Sequence, residues 1–281
     1  VGIDAASVGI VGQVSVASAM VAGSLEDGAT VLCAEEDFTS VLFPFLIDDR
    51  LTVRVVPLDE IIDAIDADVD LVAVSAAQSS DGRVLDLDRL AAAAAAHRTK
   101  TYLDVSQAAG WLPIGASRFD VTSCGAYKWL CSPRGTGFVS VRPEADWLIP
   151  RHAGWYSSDS PWETIYRPPL RLAEDARRFN VSPAWFGLTA AAASVEVLAE
   201  IGVESIHTHS VDLANRFLAN MGLPPSNSAI VSVDSPHAAA LMDAGFRAAT
   251  RAGRARLSFY VYNNEDEADE AASLLRTGTV T

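Results

Sequence analysis

Basic side chains are scarce in this chain, cysteines are scarcer, and no long uninterrupted hydrophobic run occurs in it. Lysine and arginine together number 21 against 36 acidic residues, which leaves a net charge of -15. Nucleic acid and anionic membranes are held by neutralising phosphates, so neither is an expected partner. The 3 cysteines, Cys33, Cys124 and Cys131, are odd in number and lack the spacing of a disulfide framework or a zinc site. They read as buried free thiols packed in a reducing cytoplasm, and no metal is expected. A membrane helix needs about 20 largely apolar residues in succession. The most apolar helical segment, around Leu90 to Ala96, is flanked by Asp86, Asp88, Arg89 and Arg98 and reads as a packed helix of a soluble protein. Also lacking are an initiator methionine and a basic stretch followed by an apolar core, so no secretion signal is visible. The chain opens at Val1 in mid-domain fashion, and we expect an N-terminal segment of the natural protein to be missing.

What the chain does contain is apolar material in short, spaced pieces. Its 281 residues are 49% hydrophobic; at about 150 residues per domain, the length suits two units or one large one. Apolar, β-branched runs at Thr30–Ala34, Thr52–Val56, Asp70–Ser75, Thr101–Val105, Arg118–Ser123 and Gly137–Val141 alternate with helical patterns such as Leu58–Ala67 and Leu87–His97. Strand, helix, strand in that order predicts an α/β fold with a parallel sheet covered on both faces. From Arg142 to about Asn180 the text changes, with Pro143, Pro150, Pro161, Pro168 and Pro169 forbidding long helices among Trp147, Trp155, Tyr156, Trp162 and Tyr166. A long alanine-rich helix is expected from Pro183 or Ala184 to Ile201, followed by a helix (Val203–Met221), a strand (Ala229–Val233), a helix (Ala238–Ala244) and a strand (Arg256–Tyr262). The last helix has an Asn263 or Asn264 cap and Glu265, Asp266 and Glu267 in its first turn, where the dipole favours acids. We therefore divide the chain into a large domain, residues 1–183, and a smaller α+β domain, residues 184–281.

Chemistry concentrates in two places. In Thr101-Tyr102-Leu103-Asp104-Val105-Ser106-Gln107 an acid closes a buried strand and an amide follows shortly after. Ligands of open α/β sheets gather at the carboxyl ends of strands, which aims Asp104 and Gln107 at a site. Taken alone, Asp104 would also serve as a helix N-cap. Lys128 stands between Tyr127 and Trp129 in an apolar segment. Desolvation disfavours its ammonium form and readies the amine for nucleophilic use, although a lone lysine there also fits a snorkelling surface residue. Together the three match the needs of pyridoxal phosphate: an amine for its aldehyde, an acid that keeps its ring nitrogen protonated, and a donor near its phenolic oxygen.

The stretch Leu103–Pro143, with Asp104-Val105-Ser106-Gln107-Ala108-Ala109-Gly110, Tyr127-Lys128-Trp129-Leu130 and Pro133-Arg134-Gly135-Thr136-Gly137, resembles the core signature of the class V aminotransferase superfamily. That group includes cysteine desulfurases, kynureninase and isopenicillin N epimerase. The resemblance implies a fold-type-I pyridoxal 5'-phosphate enzyme. Its large domain would carry a mostly parallel seven-stranded sheet, with a smaller C-terminal α+β domain, in a homodimer with shared active sites. By position, Lys128 corresponds to the lysine that holds the cofactor aldehyde, Asp104 to the partner of the ring nitrogen and Gln107 to the residue at the phenolic oxygen. Tyr127 matches kynureninase, where a tyrosine contacts the phosphate; many desulfurases carry histidine there, and Gly125 replaces a serine that they use for phosphate. Gly12-Gln13-Val14-Ser15 resembles the first phosphate loop, with Gln13 and Val14 at a helix start. Phe38 falls where kynureninase-like members stack an aromatic on the pyridine, and Gln78 and Ser79 occupy the substrate-side turn. Asn180-Val181-Ser182-Pro183 resembles a turn whose hydroxyl crosses a dimer interface to the neighbouring phosphate. Arg256, in Arg256-Leu257-Ser258, resembles the arginine that clasps the substrate carboxylate, a task suited to a planar guanidinium.

Cysteine desulfurases attack substrate sulfur with a thiol on a loop just before that arginine. Here Arg251-Ala252-Gly253-Arg254-Ala255 leads into Arg256, and no cysteine follows Cys131. A thiol-dependent desulfurase is therefore not expected. The family label favours transamination of an α-amino acid, while Phe38 and Tyr127 lean toward kynureninase-like cleavage; C–S lyase β-elimination and epimerisation stay open. In each, Lys128 is the natural general base and acid. His152, Trp155, Tyr156, Tyr166 and Arg134 are candidates for the mouth of the site. From another class, the alternative is a catalytically silent scaffold that keeps the fold.

Overall fold

The structure, a computed structural model, describes residues 2–251 and 253–278. Short runs rich in β-branched residues become β1 (Val8–Val11), β2 (Thr30–Ala34), β3 (Thr52–Val56), β4 (Leu71–Ser75), β5 (Lys100–Asp104), β6 (Val121–Gly125) and β7 (Gly137–Val141). They form one 7-stranded sheet in the order β1-β7-β6-β5-β4-β2-β3. β2 through β6 pair in parallel, whereas β7 is antiparallel to both β6 and β1. Every strand except β7 thus ends at the same edge, and β7 begins there. The mostly parallel α/β architecture expected from the sequence is the one observed.

Alternation along the strands sends side chains to two cores. Val31, Leu71, Tyr102 and Val121 pack with Met20, Val21, Val41 and Phe45 of α1 (Val14–Ala22) and α2 (Thr39–Leu46). Leu32, Val72 and Leu103 face the other way and meet Leu90 of α3 (Leu87–His97). Covered on both faces, β4 and β6 are buried throughout.

After the irregular stretch, α4 (Trp185–Ile201) and α5 (Val203–Asn220) meet at Gly202, whose φ of 85° lies in the left-handed region that glycine tolerates. A second, antiparallel sheet has the order β8-β10-β9, from β8 (Ile230–Val233), β9 (Ala249–Arg251) and β10 (Arg254–Ser258), with α6 (Ala238–Asp243) between the first two. α7 (Glu265–Thr277) starts at Asn264, one of the two expected caps, with Asn264 and Glu267 capping each other. α5 joins the two regions: Ile206 enters the core of the large sheet, and Leu213 and Phe217 enter a third core with Val231, Leu257 and Leu275. Among the described residues no single helix is long and apolar enough to cross a membrane.

Several expectations need correction. The helix predicted at Leu58–Ala67 is only a 3-10 turn, Leu58–Glu60, followed by turns. Its apolar spacing is helical, but Asp59 and Asp63 repel at i,i+4 and a piece this short does not recover the cost of nucleation. The strand predicted at Arg118–Ser123 is displaced to β6, because Ala116–Arg118 forms a 3-10 turn. The strand predicted to reach Tyr262 ends at Ser258, since Tyr260 N–H turns to donate to Asn263 Oδ1 at 2.9 Å. Cys131, expected inside, is exposed with φ 51°, while Cys33 and Cys124 are buried. β1, β9 and α2 had no counterpart in the sequence reading.

Candidate active site

Because six strands end and one begins at a single edge, the segments beyond them converge there, as in other open α/β sheets. Gln13 and Val14 follow β1, Phe38 follows β2, Gln78 and Ser79 follow β4, Asp104 closes β5 with Gln107 beyond it, Tyr127 and Lys128 follow β6, and Arg134 precedes β7.

Asp104 is 3% exposed. Its Oδ1 accepts from Ser106 N–H at 3.0 Å and from Ser106 Oγ–H at 2.7 Å, and Ser106 Oγ in turn accepts Gly125 N–H at 2.8 Å. Burial pushes the carboxyl up to about 6, against the Ser106 bonds and the Lys128 charge, which favour ionisation. Lys128 is half-buried; desolvation lowers its pKa, Asp104 resists the change, and Arg256 and Arg134 add repulsion. Lysine, aspartate and both arginines therefore act on one electrostatic site. Lys128 Nζ lies 5.3 Å from the centre of the Phe38 ring and 5.8 Å from that of Tyr127. Phe38 is 41% exposed, so its ring is available to a flat ligand.

Gln107 is committed at both ends: Nε2 donates to Ser79 Oγ at 3.1 Å and Oε1 accepts from Trp129 Nε1 at 2.9 Å. Trp129 also links the two sheets, since Tyr260 Oη–H donates to its carbonyl at 2.5 Å and the two rings meet edge to face at 4.9 Å. Arg256 reaches across from β10 to donate to Ser79 O at 2.5 Å, while its Nε is buried without a partner. Gln78 turns inward: it is 0% exposed, and its amide faces the Asp37 carboxyl without a well-formed hydrogen bond.

Gly125 has a local reason. A Cβ there would sit 3.3 Å from Tyr127 Cε1, so the missing side chain makes room for the tyrosine ring. The Arg134 guanidinium stacks 4.2 Å from the centre of that ring. The start of α1 is close by, as a Cβ on Gly12 would lie 3.9 Å from Gly135 O. Gln13 occupies the N-cap of α1 without a side-chain bond, and Val14 is its first residue. Ser182 is exposed and accepts from Trp155 Nε1 at 3.3 Å rather than from any of these groups; the turn is anchored instead by Asn180 Oδ1, which accepts Ile10 N–H at 2.7 Å. Sequence reasoning passed over Trp129 as a clamp, and it passed over Asp37 and Ser75, a buried pair beside Asp104 joined at 2.5 Å. It also passed over a simple signal: the chain has only two lysines, Lys100 and Lys128.

The sequence model of the family described as aminotransferase class-V matches residues 14–250. An uncharacterized aminotransferase of Bacillus subtilis, YcbU, is 30% identical over 222 residues, covering 74% of this chain and 58% of that protein. A kynureninase of Yarrowia lipolytica is 32% identical over 181 residues, covering 59% of this chain and 40% of the kynureninase. The chain thus spans about half the length of these relatives. Among solved structures, the complex of the cystine C-S lyase C-DES with its reaction product cysteine persulfide superposes with a TM-score of 0.86 at 19% identity, covering 98% of this chain and 82% of the other. The cysteine desulfurase of Thermococcus onnurineus gives 0.82 at 19% identity, covering 95% and 78%. At such identity these structures establish the fold.

Proposed function

Because the chain belongs to the class-V aminotransferase family, we propose that it acts at the α-carbon of an α-amino acid, with Lys128 as the group that takes and returns the proton. Membership implies pyridoxal 5'-phosphate as cofactor, and the donor set fits it: a buried carboxylate for a ring N–H, an amine of depressed basicity and an open aromatic face. The observation that carries the reading is that Asp104, closing β5, and Lys128, just past the adjacent β6, each favour the other's charged form.

When bound, the cofactor draws electrons from the substrate's α-carbon and acidifies its proton. Asp104, ionised, holds a ring nitrogen in its protonated form. Lys128 Nζ, its basicity lowered by desolvation, accepts the α-proton and redelivers it. Gln107 presents its amide at the phenolic side in one orientation, fixed by Trp129 and Ser79. Phe38 covers the ring face, and Tyr127 with the start of α1 at Gln13 and Val14 holds the phosphate. Arg256 clasps the substrate carboxylate beside Ser79, with Gln78 enclosed in the same turn. We assign Ser182 to the phosphate of a second copy, which makes the enzyme a homodimer. The neighbouring Trp185 and Phe186, 53% and 96% exposed, support an interface there. Residues 1–183 form the cofactor domain in this reading and 184–281 the smaller domain, working in the cytoplasm.

Transamination is the first reading of the reaction. The Phe38 and Tyr127 rings around Lys128 support a second, kynureninase-like cleavage. A thiol-dependent desulfurase is disfavoured, because residues 245–255 contain no cysteine and burial pushes Cys124 and Cys33 away from thiolate.

The purified protein should turn yellow with pyridoxal phosphate, its visible band should shift on adding amino acids, and Lys128→Ala should abolish the band and cut turnover at least about a thousandfold. A colourless protein that takes up no pyridoxal phosphate would establish the scaffold alternative. Conversion to the pyridoxamine form without a keto-acid acceptor marks transamination, and alanine with a released fragment marks cleavage.

A further inference from the structure

Asp37 is a second carboxylate at the same edge, and the reaction above gives it no task. It is 7% exposed. Its Oδ1 accepts Phe38 N–H at 2.7 Å and Ser75 Oγ–H at 2.5 Å, and its Oδ2 accepts Ser75 N–H at 2.7 Å. Ser75 closes β4 in register with Asp104 at the end of β5. Its hydroxyl therefore lies between two buried acids, 2.5 Å from Asp37 Oδ1 and 3.5 Å from Asp104 Oδ2. A hydroxyl has one proton to give, and those distances assign it to Asp37. Asp104 Oδ1 is already engaged twice by Ser106, so Oδ2 is the oxygen left open.

We propose that Asp37 is a positioning residue: by holding the Ser75 proton and setting a second negative charge behind Asp104, it keeps Asp104 Oδ2 open and basic toward the ring nitrogen of the cofactor. This rests on the pyridoxal-phosphate reading. Without the Asp37 carboxylate, the Ser75 hydroxyl would rotate to donate to Asp104 Oδ2 and compete with the ring N–H for that oxygen. The other titratable groups facing Asp104 are Lys128, which favours its ionised form, and Tyr102 and Cys124, both held neutral by burial. The Tyr102 hydroxyl bonds to Ser18 and Ser123, at 2.8 and 2.7 Å. Burial raises the Asp37 carboxyl too, but both Ser75 bonds and the Phe38 N–H are donated to its oxygens and favour the ionised form, whose charge raises the proton affinity of Asp104.

The test compares affinities for pyridoxal phosphate and for its 1-deaza analogue, which has a C–H in place of the ring nitrogen, in the apo forms of wild type, Asp37→Asn and Ser75→Ala. Wild type should prefer pyridoxal phosphate. Asp37→Asn should lose about tenfold of that preference, the equivalent of one pKa unit, with analogue affinity held within about twofold. Ser75→Ala should keep the preference, because its proton does not serve Asp104. Equal losses for both ligands in Asp37→Asn would make Asp37 merely structural and overturn the proposal. A loss of preference in Ser75→Ala would also overturn it, and this arm stays readable if Asp37→Asn fails to fold. Wild-type protein that binds neither compound sinks the cofactor reading itself; binding with no change of preference in Asp37→Asn sinks only the role of Asp37.

Discussion

The two ends of the cleft are finished to different degrees. On the β5 and β6 side, Asp104 is braced by Ser106, and Gln107 has both ends of its amide engaged. On the β10 side, Arg256 makes a single bond to a carbonyl and keeps a buried, unpartnered Nε. An unmet buried donor costs about 1–3 kcal/mol, more when charged. In the proposed reading, the cofactor end is organised by the protein alone, whereas the substrate end would be completed by an arriving anion.

Three measurements can break or sharpen that contrast. Arg256→Ala should weaken substrate binding about 10- to 100-fold, as a charge-assisted pair contributes about 1.5–3 kcal/mol, and should leave cofactor affinity unchanged. Equal losses in two equilibrium titrations would dissolve the division. A smaller effect comes from pH. The Asp104 carboxyl, at about 6, is charged above that value and neutral below it. Cofactor affinity should therefore decline as pH falls through about 6, approaching tenfold per unit, and the slope should vanish in Asp104→Asn. A wild-type titration that stays level across this range contradicts the assignment. Smallest is Trp129→Phe, which removes the donor to Gln107 Oε1 and should weaken cofactor binding about fivefold, or about 1 kcal/mol, by fluorescence titration. No change would mean that Ser79 alone orients the amide.

The placement of Asp104 and Lys128 at one edge of the sheet was legible in the sequence. Fully buried strands are written as unbroken β-branched and aliphatic runs, so Asp104 and Lys128 could be placed just past two of them. Counting lysines would have sharpened this, since Lys100 opens β5 at the opposite edge and lies 5.8 Å from the Trp147 ring. Asp37 was not legible. It stands in the acidic run Glu35-Glu36-Asp37, where nothing local says that Glu36 will turn out to Arg83 at 2.8 Å while Asp37 turns in to Ser75. That choice is made by the β2–β4 pairing, a long-range contact. The Leu58–Ala67 segment misled for the opposite reason: its pattern was local and periodic, but tertiary packing needed only a turn there.

The clasp between Tyr260 and the Trp129 carbonyl has a consequence for size selection. Tyr260 follows closely after Arg256, and Trp129 is the immediate neighbour of Lys128, so a short covalent and hydrogen-bonded path joins guanidinium to amine. If Arg256 and Lys128 act as proposed, the gap between them is a gauge fixed by backbone, which sets how far a ligand's carboxylate can stand from its reacting carbon while the guanidinium holds one and the amine reaches the other.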